Sequence, residues 1–123
     1  MADLADCQLQ SIRALHSLGA RNFILNSLIP LQLTGLYSNS SSPSEYYPYE
    51  HDGPGWHKRI FNLVNSLNRI LADGVAKLNS EFQANESDAH AEFFNTYAFF
   101  QEMYNNPSQY FNGSIPANVT GYW

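Results

Sequence analysis

Apolar residues recur every third or fourth position over two long stretches and gather into two short runs, and that alternation predicts the elements. Leu4, Ala5, Leu9, Ile12, Leu15 and Leu18 share about half of a helical wheel, which predicts an amphipathic helix over 3–18 with Asp3 able to cap it. Gly19 directly follows the last periodic Leu, where a glycine without Cβ can take the left-handed conformation that ends a helix. The apolar run over 23–29, closed by Pro30, reads as a buried parallel strand. Helical spacing returns through Ile60, Leu63, Val64, Leu67, Ile70, Leu71, Val75 and Leu78, predicting a long helix over 56–83 with Gly74 inside it at a cost of about 1 kcal/mol relative to Ala. A second strand is read over 89–94 and a third helix over 96–105, with Tyr97, Phe100 and Tyr104 on one face.

Between the first strand and the long helix, residues 30–55 lose periodicity. Pro43, Pro48 and Pro54, a serine cluster and the knot Tyr46-Tyr47-Pro48-Tyr49 make this a long loop. A loop of roughly 25 residues in a compact domain calls for a reason such as binding. Asn106-Pro107 ends the third helix, and 106–123 reads as a loop tail. The order is helix, strand, loop, helix, strand, helix: an α/β chain whose two parallel strands are joined by a right-handed helical crossover. Two strands alone leave unpaired backbone along each outer edge and one uncovered apolar face, so the chain is expected to be part of a larger layered domain.

At 123 residues, 44% hydrophobic and 14% charged, the composition is that of one globular domain. A net charge of -5 without any basic stretch speaks against nucleic acid as a partner, and no apolar run approaches the length of a membrane span. Asp3 and Asp6 stand where a secretory signal would carry Lys or Arg, so no signal peptide is read here. Asn-x-Ser/Thr sequons at Asn39, Asn85, Asn112 and Asn118 are candidate N-glycosylation sites, where roughly two would arise by chance. Cys7 is the single cysteine, which excludes an internal disulfide; it is read as a buried or unpaired structural cysteine.

No Gly-x-Ser-x-Gly elbow, phosphate loop, dinucleotide fingerprint or His-Glu-x-x-His motif occurs, and no cofactor is implied. Glu50, His51, Asp52 and His57 form the densest titratable cluster and could in principle hold a divalent metal, but their Pro and Gly flanks favour a solvated surface. His90 is read as an edge or core histidine, and Asp73 with Lys77 as an exposed i, i+4 ion pair. Tyr46, Tyr47, Tyr49 and Trp56 offer flat faces that stack on sugars or line an ester pocket, against the alternative that they pack back on the domain.

The segment Leu15-His-Ser-Leu-Gly-Ala-Arg-Asn-Phe-Ile-Leu25 resembles the SGNH/GDSL esterase family, where such a helix end leads into a core strand. Leu28-Ile-Pro-Leu31, Leu67-Asn-Arg-Ile-Leu71, Asn95-Thr-Tyr97 and Asn106-Pro-Ser-Gln-Tyr110 are similar to further family motifs in the same order. Ile29, Asn95 and Phe111 depart from the family's usual Pro, Asp and Gly, none at a catalytic position. The Gly-Ala-Arg-Asn-Phe wording and the Pro/Tyr loop most resemble fungal secreted acetyl esterases of the carbohydrate esterase family 16 type.

The resemblance implies a partial SGNH hydrolase fold, flavodoxin-like and three-layered, in a Ser-His-Asp ester hydrolase acting on a carbohydrate ester. It also implies secretion, which this chain's N-terminus does not echo. The family's Gly-Asp-Ser and Asp-x-x-His blocks do not occur in this sequence, so the resemblance assigns it no catalytic residue and marks it as an interior fragment. Two alternatives stand beside that reading: a non-catalytic carbohydrate-binding or interaction module using the Tyr/Trp loop, and a non-functional truncated product.

Overall fold

The computed structural model describes residues 2–43 and 47–113. Helix α1 spans Ala2–Ser17, strand β1 Asn22–Asn26, helix α2 Gly53–Ala84, strand β2 His90–Phe94, helix α3 Thr96–Asn105, and the single turn α4 Pro107–Tyr110. The architecture is mixed α/β, with β1 and β2 paired in parallel from Asn22 opposite His90 to Asn26 opposite Phe94. Two compact units divide the chain: Met1–Leu28 with Asn65–Asn95, and Ile29–Val64 with Thr96–Trp123.

In the first unit the core forms where α1 and α2 turn their apolar stripes to one face of the sheet. Leu9 and Ile12 of α1, Val75, Leu78 and Phe82 of α2, and Phe23 and Ala91 of the strands make one buried cluster; Ala5, Leu67 and Leu71 make another. Gly74 sits where Leu9 meets α2, and a Cβ there would run into the Leu9 methyls. The glycine therefore permits a close approach of two helices, which outweighs its poor helix propensity.

Both helices of this unit end in the same hydrogen-bonded motif. At Gly19, φ is 103°, the Gly19 N–H donates to His16 C=O at 3.0 Å and the Ala20 N–H to Leu15 C=O at 3.1 Å. At the end of α2 the left-handed position is Glu86, φ 51°, with Glu86 N–H on Gln83 C=O at 3.1 Å and Ser87 N–H on Phe82 C=O at 2.9 Å.

The strands are not the doubly buried runs that their apolar content suggests. Phe23 and Ala91 face the core, while on the opposite face Ile24 is 75% and Phe94 52% exposed. The backbone borders are treated differently. His90 N–H donates to Arg21 C=O and Ser27 N–H to Phe94 C=O, so parallel alternation turns Ala91 to the outer border of β2 and Asn22, Ile24 and Asn26 to that of β1. Asn79 of α2 bonds both sides of the Ala91 peptide edge, donating Nδ2 to Ala91 C=O at 2.7 Å and accepting Ala91 N–H at 2.8 Å. Asn68 does the same for Leu28, at 3.0 and 2.7 Å. The border of β2 is thus partly sealed by a side-chain amide, not left bare as two strands alone would imply.

Other positions differ from the sequence expectation. Leu4 and Leu15 of α1 are exposed, because the buried stripe is only as wide as Ala5, Leu9 and Ile12, and Leu18 lies past the helix end in the turn, 84% exposed. Leu63 and Ile70 of α2 are likewise exposed. Asp3 lies inside the first turn, since α1 already begins at Ala2. β1 ends at Asn26, short of 29, and β2 begins at His90. Asp73 and Lys77 form no ion pair; the ion pairs among the described residues include the two-pronged Arg13–Glu81 bridge at 2.9 Å and Arg21–Asp88 at 2.9 Å.

In the second unit the region read as one loop over 30–55 holds two 3-10 turns, Leu31–Leu33 and Gly35–Tyr37, and the start of α2. The described part of the 106–123 tail is not wholly loop, because Pro107 opens α4, whose first N–H would be unsatisfied in any case. Gln32 is buried, 5% exposed, and donates Nε2 to the Tyr97 hydroxyl at 2.7 Å. No helix among the described residues is long and apolar enough to cross a membrane.

Candidate functional site

The aromatic loop is built on the N-terminus of α2. Asp52 caps that helix: its carbonyl accepts the Trp56 N–H at 2.8 Å and its carboxylate the Gly55 N–H at 2.9 Å. α2 therefore begins at Gly53, three residues before the periodic apolar residues signal it, and Pro54 fits its first turn. Gly53 is buried against the Ser40 backbone, where a Cβ would collide. Ser41 closes the loop, its hydroxyl accepting the Gly53 N–H at 3.1 Å and its carbonyl the His51 N–H at 3.4 Å. The result is a stitched loop whose ends meet, in place of an open excursion.

Within it the rings interlock. Tyr47 lies 5.3 Å from Trp56, 5.6 Å from Tyr49 and 5.5 Å from His51, the last two edge-on. Trp56 also meets His51 at 4.7 Å and Tyr37 at 6.3 Å. Of the residues read from sequence, Tyr47, Tyr49 and Trp56 are thus brought together; Tyr37 and His51 join them without having been singled out as ring partners, and Tyr46 lies outside the described residues. Tyr49 is the ring most open to solvent, 67% exposed. Beside it in the chain, Glu50 and His51 line an open cavity of about 500 Å³ with Ser41, Ser42 and Pro43. The His51 Nε2 is buried and has no hydrogen-bond partner among the described residues.

The four titratable residues of this region do not converge. Asp52 is engaged in capping and lies 3.8 Å from Arg59, His57 Nδ1 rests 3.0 Å from the Tyr37 carbonyl, and no group of three His, Cys, Asp or Glu able to hold a metal occurs among the described residues. His90 is exposed on β2 with Glu92 at 3.4 Å, and Cys7 is a free cysteine exposed on α1. The sequon residues Asn39, Asn85 and Asn112 are exposed; Asn118 lies outside the described residues.

One pair was not visible in the sequence at all. His16, in the last turn of α1, places Nε2 2.9 Å from the Ser87 hydroxyl, across 71 positions of chain. No spacing rule links the two; the turn after α2 brings them together.

The residues that carry the family resemblance do structural work. Gly19 ends α1, Asn68 fastens Leu28, and Tyr97 meets Gln32 next to the Pro30-Leu31 pair. No family model matches the chain. Three plant proteins from Arabidopsis thaliana are similar to it over 108 residues, 88% of its length: the GDSL esterase/lipase At4g18970 at 32% identity, At5g45670 at 31% and At1g29660 at 30%. The chain spans 26–27% of the length of these relatives. Motifs, parallel α/β architecture and relatives point the same way: the chain is similar to a part of GDSL esterase/lipases.

Proposed function

We propose that these residues form an interior portion of a GDSL/SGNH-type ester hydrolase, a carbohydrate acetyl esterase whose catalytic Ser and Asp-His pair lie outside this sequence. In the reaction such a family implies, the Ser attacks the acetyl carbonyl, an acyl-enzyme forms, and water releases acetate. The observation that carries the reading is the ordered run of motifs held at 32% identity over 88% of the chain, on a sheet whose one face is uncovered. On this reading the aromatic loop lines the substrate path, Tyr49 offering its exposed ring and Tyr47 and Trp56 backing it; the sequons at Asn39, Asn85, Asn112 and Asn118 fit a secreted glycoprotein.

The test is a protein extended into its neighbouring coding sequence, assayed on acetylated xylo-oligosaccharides and on long-chain acyl esters. Saturable release of acetate, with KM raised about ten-fold by Tyr49→Ala and kcat little changed, is the expected result. Preference for the long-chain esters would replace the carbohydrate reading with a lipase. Neighbouring sequence without Gly-Asp-Ser and Asp-x-x-His would remove the hydrolase reading altogether. Carbohydrate affinity without turnover, lost in Tyr49→Ala, would favour the binding-module alternative.

A further inference from the structure

We propose that Ser87 and His16 form a nucleophile–base dyad that accepts an acyl group from activated esters, a site separate from the aromatic loop and independent of the reading above. Three features support it. The Ser87 hydroxyl lies 2.9 Å from His16 Nε2, the distance at which an imidazole takes a serine proton. The same oxygen accepts the Ala89 N–H at 3.2 Å, which steadies charge developing on it and leaves its proton free for His16 Nε2 when the imidazole carries its hydrogen on Nδ1. The serine follows Glu86, held at φ 51°, and both partners are partly exposed, open to a small ester.

The ring of His16 is fixed by Phe82, whose centroid is 4.7 Å away, so the base is oriented by packing where a triad would use a carboxylate. Next to the serine, the Asp88 amide N–H has no partner among the described residues and can donate to a carbonyl oxygen as it becomes negative. The Asp88 carboxylate beside it is neutralised by Arg21 at 2.9 Å.

The chemistry balances without any further reagent. Ser87 Oγ adds to the ester carbonyl as its proton passes to His16 Nε2; the bond to the aryl oxygen breaks and the phenol leaves with that proton. Water, deprotonated by His16, then adds to the acyl-Ser87, and the carboxylic acid departs as the proton returns to Oγ.

The experiment treats the 123-residue chain, with the exposed Cys7 changed to Ala, with p-nitrophenyl acetate and maps the adduct by peptide mass spectrometry. The expected result is acetyl-Ser87, with nitrophenol release lowered at least ten-fold by Ser87→Ala and by His16→Phe, both variants keeping the wild-type far-UV circular dichroism. Acetylation confined to lysines and the N-terminus, or release unchanged in His16→Phe, would show that the pair only fastens α1 to the turn. The site of the adduct in the unsubstituted pair decides the question even if a variant unfolds.

Discussion

Glu86 occupies a left-handed backbone position that disfavours any residue with a Cβ by about 1–2 kcal/mol, part of which a glycine would return as freedom in the unfolded chain. Glu86→Gly is therefore expected to raise Tm by ~3 °C in a thermal melt. Gly74 shows the opposite balance. Helix propensity favours Ala there by about 1 kcal/mol, yet the Leu9 methyls fill the space that its Cβ would take. Gly74→Ala should leave stability unchanged or lower in the wild type and raise it by about 1 kcal/mol in a Leu9→Ala background, as a double-mutant cycle in urea would show. Both glycine positions could be read from sequence as local signals, a helix end at Gly19 and a weak point at Gly74. The partner that makes Gly74 necessary lies 65 positions away and leaves no local trace.

At the level of elements, α2 was legible because six buried residues, Val64, Leu67, Leu71, Val75, Leu78 and Phe82, repeat at threes and fours. Its start was not legible, since Asp52-Gly53-Pro54-Gly55 reads as a turn until a cap and a closed loop are known. Asn68 and Asn79 of α2 look like ordinary polar positions in a helical pattern. In the fold each bonds a backbone edge, Asn68 that of Leu28 beyond β1 and Asn79 that of Ala91 in β2, so Asn68→Ala and Asn79→Ala should each lower stability by about 1–3 kcal/mol through backbone groups left unpaired. Asp73→Ala, on the same helix without an ion-pair partner, should change it by less than about 0.5 kcal/mol in the same denaturation series. Gly53→Ala should push Ser40 away and loosen the stitched loop, seen as greater solvent exposure of Trp56 in fluorescence quenching.

Taken whole, the chain leaves Ile24 and Phe94 exposed on the sheet face away from the core, among the polar Asn22, Asn26, His90 and Glu92. A surface of that kind is expected to bind a hydrophobic dye, and Ile24→Thr together with Phe94→Thr should lower the dye fluorescence without weakening the core on the other face. An uncovered face was expected from the strand count before any coordinates, whereas its mixture of polar and apolar residues was not. Periodicity and glycine placement likewise set the α/β class, and the ordered motifs carry the family resemblance, since all three depend on residues close together in the chain. Packing settled the rest: which Leu residues of α1 are covered, how Asn79 seals a strand border, how Tyr37 and His51 join the aromatic knot, and how Ser87 reaches His16. These depend on contacts between distant positions, and a contact of that kind is fixed by the direction in which each element presents its side chains in space.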